Sequence, residues 1–179
     1  MQVAAGEGRL YISGNFKGTL TFGGTSLTSK KSGKYDIFVA EMSPSDGSFK
    51  WAVRAGTTTS HNAYARALQY IPIHARVVLV GYFTGTMQSG SRSVTSYSTD
   101  PNAYNCYILN LNNAGETQRL YRWGSSAGNA VCQPEASTYG AGMMYVAGGV
   151  AGSSPTFHAK VGSATGAPSI TEVTRQLIA

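Results

Sequence analysis

Short apolar and aromatic runs, separated by turn-forming residues, set the pattern of the first third of the chain. The runs are Leu10–Ser13, Asp36–Ala40 and Phe49–Val53, and the residues between them include Gly14 and the turn sequence Ser43–Gly47. Short runs rich in β-branched and aromatic residues, bounded by Gly, Pro, Ser and Asp, are typical of strands, and no helical period is present. The pattern predicts an antiparallel meander over residues 8–56.

The same pattern returns further along the chain. The segment Gly14–Gly18 recurs as Gly81–Gly85 and, weakened, as Gly148–Gly152, with successive copies 67 residues apart. The run before each first glycine is also repeated, as LYIS, VVLV and MYVA. Self-similarity at a fixed period indicates a repeat architecture, so we expect three copies of one β-unit. The first glycine of each copy is expected to permit a bulge or a close backbone approach.

The other strands of each unit are predicted at matching positions. Thr19–Ser29 and Thr86–Ser96 each place a glycine between two arms, which predicts a small hairpin that the third copy lacks. The next strand of the three units is predicted at 36–42, 105–111 and 155–161, and the last at 49–55, 117–123 and 170–179. Two further runs, 63–70 and 130–138, are expected to open the second and third units.

Four strands per unit, with apolar strands in the middle, indicate sheets that are covered on both faces, as in radially stacked blades. The predicted fold is therefore all-β, with three four-stranded antiparallel repeats of β-propeller type, at about 1–56, 62–124 and 130–179 in a single repeat domain. The residues expected in the core between blades are Leu10, Ile12, Phe38, Val77, Leu79, Tyr107, Val146 and Phe157.

Here the sequence resembles a known family. LYISGNFKGTLTFGGTSLTS, followed by YDIFVAEMSPSDGSFKWAVRAG, is similar to the bacterial β-propeller repeats called SBBP repeats. The first copy fits the pattern over nearly all of 8–56, and the second fits over 76–124. The third, 143–179, fits only at GMMYVAGGVAG and FHAKV. The resemblance implies propeller blades and no particular activity.

The second copy departs from the pattern at two positions. Asn105 replaces the aspartate that the first copy has at Asp36, and Leu120 or Trp123 stands in for Trp51.

Three blades are fewer than the four to eight that close a propeller. The first unit also lacks its opening strand, because only Gln2–Ala5 is present as the tail of such a strand. We therefore expect an incomplete propeller or a fragment. Its partners would be the rest of a larger propeller, another protein subunit, or a second copy through self-association.

Composition and charge narrow the list of partners. Charged residues make up only 12% of the chain, and the net charge is +6. The tightest basic cluster, Lys30, Lys31 and Lys34, lies in one Ser/Gly-rich loop and is expected to be solvated, so no nucleic-acid site is predicted. No apolar run is long enough to span a bilayer, and the N-terminus has no signal-peptide pattern. The composition suits an extracellular or cell-surface location.

No motif for catalysis or cofactor binding is found. The three histidines, His61, His74 and His158, are scattered, and no carboxylate pair or calcium loop stands out, so no catalytic residue, metal or cofactor is predicted. Cys106 and Cys132 are too few to define a disulfide framework. We expect buried free thiols rather than a bridge, since free cysteine is often buried.

Exposed aromatic residues are the remaining candidates for ligand contact. Tyr97 and Tyr104 lie in a long loop, and Trp123 and Trp51 lie near strand ends, where aromatic rings stack on sugars. Packing between blades is the favoured role of both tryptophans, especially Trp51. The leading expectation is a non-catalytic structural or interaction module. A carbohydrate-binding propeller that uses these four residues is the alternative, and an enzyme with a composite site is the least favoured.

Overall fold

The computed structural model describes residues 1–58, 60–126, 128–140, 143–151 and 158–159. These residues form antiparallel β-strands and one short 3-10 helix, Pro72–His74, and contain no α-helix. The strands in chain order are β1 Gln2–Gly6, β2 Arg9–Phe16, β3 Thr19–Phe22, β4 Thr25–Thr28, β5 Asp36–Met42, β6 Phe49–Thr57, β7 Ala63–Ile71, β8 Arg76–Phe83, β9 Thr86–Ser89, β10 Arg92–Thr95, β11 Asn105–Asn112, β12 Thr117–Gly124, β13 Val131–Gly140, β14 Met143–Ala151 and β15 His158–Ala159. The all-β prediction is confirmed.

The first two predicted units are four-stranded meanders. Unit 1 has the strand order β1-β2-β5-β6, and unit 2 has the order β7-β8-β11-β12. Each has the predicted hairpin between its second and third strands, β3–β4 in unit 1 and β9–β10 in unit 2. The loops that precede β3, β5, β7, β9, β11 and β13 all lie at one end of the sheets, which we call the hairpin end. The turns β1–β2, β5–β6, β7–β8 and β11–β12 lie at the opposite end, the turn end.

The hairpin of unit 2 also joins the sheet of unit 1. Strand β9 pairs with β6 through Ser89 opposite Ala55, Gln88 opposite Gly56 and Met87 opposite Thr57, which makes a six-stranded sheet. The hairpin of unit 2 thus extends the sheet of unit 1 beyond its last strand, β6. Backbone hydrogen bonds therefore connect consecutive units in addition to the packing of their faces.

Unit 3 is described over β13, β14 and β15. β13 and β14 form a hairpin, as the sequence predicts for 130–138 and the strand before Gly148. His158–Ala159, predicted as part of a strand next to β14, instead pairs with Trp123 and Gly124 of β12. It takes the position that β9 has on β6. Phe157 and the predicted strand 170–179 lie outside the described residues.

Unit 1 does have an opening strand. Gln2–Gly6 pairs with β2 from Gln2 opposite Ser13 to Gly6 opposite Arg9, where only Gln2–Ala5, the tail of such a strand, was expected. With five residues it is shorter than β7, which has nine. Residues 10–13 of β2, half of the strand, are therefore paired on both sides.

The faces of the units stack to form the core. Between units 1 and 2 lie buried side chains from both sheets: Tyr11, Ile37, Val39 and Ala55 from unit 1, and Ala63, Ala65, Tyr70, Val77, Leu79, Phe83, Met87, Tyr107, Leu109, Leu111 and Leu120 from unit 2. Val77, Leu79 and Tyr107 were predicted there. A second cluster joins Val78, Val80 and Ile108 of unit 2 to Met144 of unit 3, with Val146 packed against it as predicted.

The face of unit 1 away from unit 2 has its own cluster. Phe38 and Ile12, predicted as core between units, lie on this outward face. The hairpin of unit 1 covers part of it, because the Phe22 ring packs 4.9 Å from the Phe38 ring and 5.1 Å from the Phe49 ring. Leu10 on the same face is half-buried.

Successive units are joined by equivalent hydrogen bonds. At the hairpin end, Ala63 N donates to Tyr35 O at 2.9 Å, and Cys132 N donates to Tyr104 O at 3.0 Å. At the turn end, the Tyr70 hydroxyl of unit 2 bonds Glu7 of unit 1, and the Tyr139 hydroxyl of unit 3 bonds His74 Nε2 of unit 2 at 2.7 Å. Unit 3 therefore sits on unit 2 as unit 2 sits on unit 1.

The repeated glycines have the predicted role at two positions. A Cβ at Gly81 would lie 1.9 Å from Tyr64 O, and one at Gly148 would lie 2.2 Å from Gln133 O. Each glycine faces a bulge in the opening strand of its unit, between Ala65 and Ala67 or between Pro134 and Ala136. Only glycine allows the backbones to approach this closely.

The expectation of free thiols is wrong. Cys106 and Cys132 form a disulfide with a Cα–Cα distance of 5.5 Å, within the ordinary range for such a bond. Cys106 lies on β11 of unit 2 and Cys132 on β13 of unit 3, so the bridge crosses the interface between units. Cys106 and Cys132 are the equivalents of Ile37 and Ala63, which lie at the interface between units 1 and 2.

None of the described residues belongs to a helix long and apolar enough to cross a membrane.

Candidate functional site

Four tyrosines form a contiguous group at the hairpin end, around the junction of units 1 and 2. The Tyr64 ring is central, with its centroid 4.8 Å from Tyr82, 5.5 Å from Tyr35 and 6.3 Å from Tyr104. Tyr82 and Tyr104 meet edge to face at 5.0 Å. Tyr82 is buried, and the other three rings are partly exposed. We call Tyr35, Tyr64, Tyr82 and Tyr104 the tyrosine cluster.

Two cations lie on the tyrosine cluster. Lys17 Nζ is 4.1 Å from the centre of the Tyr35 ring, and the Arg66 guanidinium is 5.1 Å from the centre of the Tyr82 ring. Arg66 Nη2 also donates to the Tyr82 hydroxyl at 3.0 Å, whereas its Nε is buried without an acceptor. Arg66 is the extra residue of the bulge opposite Gly81, and this position brings it over the rings.

The exposed hydroxyls of the cluster are available as hydrogen-bond donors. Those of Tyr35, Tyr64 and Tyr104 form no hydrogen bond within the described part of the chain, whereas the Tyr82 hydroxyl accepts from Arg66. Burial raises the pKa of Tyr64 above its ordinary value, and the neighbouring Tyr104 and Tyr82 raise it further. The Tyr64 hydroxyl therefore keeps its proton at neutral pH.

Only one of the four predicted ligand residues belongs to this cluster. Tyr104 is a member, as its position in the 97–104 loop allows. Tyr97 lies elsewhere, with the Arg122 guanidinium 4.0 Å from its ring centre and its backbone N–H bonded to Asn105 Oδ1. The structure thus separates the two loop tyrosines into different surroundings.

The two tryptophans pack between units. Trp123 is half-buried against the cluster between units 2 and 3. Trp51 packs against the core between units 1 and 2, at the turn end, and its Nε1 donates to Glu41 Oε2 at 2.8 Å and Asn113 O at 2.9 Å. Neither Leu120 nor Trp123 replaces Trp51 in unit 2, because Trp51 lies opposite Glu41 and Arg119 lies opposite Asn110 in the matching register.

The most buried carboxylates are held by internal bonds. Glu41 is 1% exposed and accepts from Arg9 Nη1 at 2.9 and 3.0 Å, with Lys50 Nζ at 3.3 Å. Asp36 is also 1% exposed and pairs with Arg54. These arrangements account for two carboxylates as parts of the fold. Within the described residues there is no group of three or more potential metal ligands.

Sequence reasoning missed Tyr35, Tyr64 and Tyr82. One signal for Tyr35 was present, because Tyr35 and Tyr104 immediately precede the equivalent residues Asp36 and Asn105. No such signal exists for Tyr64 and Tyr82, which pair across β7 and β8.

Within the described residues, the two outermost faces of the stack differ from the faces inside it. Tyr11, Val78 and Tyr145 are equivalent residues, each on the face that its unit turns toward the next one. Tyr11 is 0% exposed and Val78 1% exposed, but Tyr145 of unit 3 is 38% exposed.

At the other end of the stack, unit 1 shows the complementary difference. Leu10 and Ile12 on its outward face are half-buried, whereas their equivalents Val77 and Leu79 are 0% and 1% exposed between units 1 and 2. Strand β3 also pairs only with β4 within the described residues, while its equivalent β9 pairs with β10 and with β6. One edge of β3 is therefore open.

No protein-family model matches the chain, and a search of the curated proteins finds no match.

Proposed function

We propose that this chain is a non-catalytic scaffold of β-propeller type whose copies associate head to tail. The observation that carries the proposal is the 38% exposure of Tyr145, at a position that is fully buried in the two preceding units. In the proposed assembly, the outward face of unit 3 of one copy packs on the outward face of unit 1 of another. No enzyme activity is part of the proposal.

The repetition within the chain supports this arrangement. The equivalent hydrogen bonds at Ala63 and Cys132 mean that one geometric operation relates successive units, and a further unit in the same relation would cover Tyr145. A head-to-tail contact closes into a ring when the rotation allows it. Two copies would supply six units, within the four to eight blades of closed propellers. The open edge of β3 would then pair with a strand of the other copy, as β9 pairs with β6.

Light scattering on the purified chain tests the proposal. We expect a mass near twice 18.8 kDa for the natural sequence and a monomer for Tyr145→Asp, since a buried unpaired carboxylate is unfavourable at an apolar interface. Ile73→Asp is the matched control, because Ile73 is 79% exposed in a turn outside both faces. A folded, monodisperse monomer of the natural sequence would rule the proposal out.

The disulfide supports an extracellular or cell-surface location for the scaffold. The bond between Cys106 and Cys132 joins two units, and such bonds persist mainly in oxidising compartments. Determining whether the protein from its native source carries this bridge, by mass spectrometry after thiol alkylation, tests the location. Two alkylated cysteines in the natively isolated protein would contradict it.

A second candidate function is carbohydrate binding by the tyrosine cluster. Three partly exposed rings with unbonded hydroxyls favour it, because aromatic faces pack on the C–H groups of sugars and hydroxyls bond their oxygens. Tyr64→Ala should abolish binding on a glycan array. Trp51→Phe, at the opposite end of the sheets, should leave it unchanged. Retention of binding by Tyr64→Ala would place any glycan site elsewhere.

A further inference from the structure

We propose that the tyrosine cluster, with Lys17 and Arg66, binds acidic saccharides, in particular chains that carry uronate carboxylates. This inference rests on the carbohydrate-binding candidate above and specifies the class of ligand. It adds Arg66 and Lys17 as the residues that determine specificity.

The charges at the cluster form no ion pair with the described residues. In the part of the chain that the structure describes, the ion pairs are Arg9–Glu41, Lys50–Glu41 and Arg54–Asp36. Lys17 and Arg66 form none. Both lie over tyrosine rings, and the whole chain carries a net charge of +6. Two unpaired cations beside partly exposed rings favour an anionic ligand over a neutral one.

The geometry matches the two sides of a uronate ring. A pyranose has an apolar face that packs on an aromatic ring, and partly exposed Tyr64 and Tyr104 supply two such rings 6.3 Å apart. The carboxylate of a uronate needs charge-assisted donors, which the ammonium of Lys17 and the guanidinium of Arg66 provide. The unbonded hydroxyls of Tyr35, Tyr64 and Tyr104 add neutral donors for ring oxygens.

The orientation of Arg66 is set before any ligand binds. Its stacking over Tyr82 and its bond to the Tyr82 hydroxyl at 3.0 Å hold the guanidinium at the cluster. A preorganised donor loses less conformational entropy when it binds a ligand. Arg66 is therefore expected to contribute more to specificity than Lys17, whose side chain is exposed.

Calorimetric titration with two trisaccharides of equal length tests the inference. The probes are a galacturonic acid trimer and the corresponding galactose trimer. We expect the acidic trimer to bind at least about tenfold more tightly, with an affinity that falls as salt is raised. Arg66→Gln should remove about tenfold of the affinity for the acidic trimer and leave that for the neutral trimer unchanged, and Lys17→Gln should have a smaller effect in the same direction.

Arg92→Gln is the matched control, because Arg92 is exposed on β10 and its substitution makes the same change in net charge. Equal affinity for the two trimers would overturn the preference for acidic ligands and leave carbohydrate binding standing. Binding of neither trimer would overturn both. Equal losses in Arg92→Gln and Arg66→Gln, or no loss in Arg66→Gln and Lys17→Gln, would show that the cluster is not the site.

Discussion

Asp36 and Asn105 occupy the same position in units 1 and 2. The side chain of each forms a hydrogen bond with the loop that follows the hairpin of its unit, and so holds that loop against the sheet. Asp36 Oδ2 accepts from Lys30 N at 2.8 Å, and Asn105 Oδ1 accepts from the equivalent Tyr97 N. Both side chains are fully buried at the head of the third strand of their units. A carboxylate in one unit and an amide in the next thus perform the same structural task.

Each of these residues also forms a hydrogen bond at the end of the last strand, Asp36 with the final residue of β6 and Asn105 with the residue that follows β12. Thr57 N donates to Asp36 Oδ1 at 3.2 Å, and Asn105 Nδ2 donates to Ser125 O at 3.1 Å. One side chain in each unit therefore holds two segments that are distant in sequence. The difference lies in the ion pair, since only Asp36 has an arginine partner, Arg54.

Replacing Asp36 should separate the two contributions. We expect Asp36→Ala to lower the free energy of unfolding by about 2–4 kcal/mol, because two backbone N–H groups and Arg54 lose their acceptor. Asp36→Asn should cost less, since its amide oxygen can still accept from Lys30 N, as Asn105 Oδ1 accepts from the equivalent Tyr97 N in unit 2. Urea unfolding of the two variants measures the difference. Equal losses would mean that the charge, rather than the acceptor, is what matters.

Removal of the disulfide should destabilise the stacking of unit 3 on unit 2. The bridge joins residues 26 apart in sequence, so the loop-entropy model gives a stabilisation of about 3–4 kcal/mol. We expect a Cys106→Ala/Cys132→Ala variant to unfold at a lower urea concentration than the oxidised protein. Reduced and alkylated natural protein should resemble the variant. A urea midpoint that is the same with and without the bridge would contradict this prediction.

Gly81 should not tolerate a side chain. A Cβ there would meet Tyr64 O at 1.9 Å and the Tyr107 hydroxyl at 2.6 Å, so Gly81→Ala should cost about 3 kcal/mol or more by forcing the bulge of β7 away. Gly24→Ala is the control, because no atom lies within 4 Å of its Cβ position and its φ is not in the left-handed region. Thermal unfolding of both variants tests the prediction. Equal unfolding temperatures for Gly81→Ala and Gly24→Ala would contradict it.

Tyr11 should make the fold sensitive to alkali. Burial, and next the charge of Glu41, raise the pKa of Tyr11 to about 12, although Arg9 opposes the shift. In the unfolded chain its pKa is about 10, so the unfolded state loses this proton first. The stabilisation is therefore present below about pH 10 and is lost as the pH rises toward about 12.

Urea midpoints measured across that range test this prediction. The natural sequence should lose stability steadily between about pH 10 and about pH 12, and Tyr11→Phe should show a smaller slope, because one titrating hydroxyl is removed. Some slope should remain, since burial also raises the pKa of Tyr107. An unchanged slope in Tyr11→Phe would show that Tyr11 does not contribute.

The register of the last strands shows where sequence comparison loses accuracy. Units 1 and 2 each have a bulge between their third and fourth strands, after Glu41 in unit 1 and after Asn110 in unit 2. The bulges set which residue of the last strand lies opposite Glu41 or Asn110. As a result Arg119, and neither Leu120 nor Trp123, takes the position of Trp51, a relation that apolar residue type alone does not reveal.

The sequence by itself determined the strands, the hairpins and the repeat of 67 residues, because these depend on side-chain alternation and turn chemistry within a few neighbouring residues. It also indicated why glycine recurs at Gly81 and Gly148. The tertiary structure alone decided the bond between Cys106 and Cys132, the contact of β9 with β6, and the tyrosine cluster. Each of these joins residues of different units, and their separation in space is set by how the sheets stack, which no local pattern encodes.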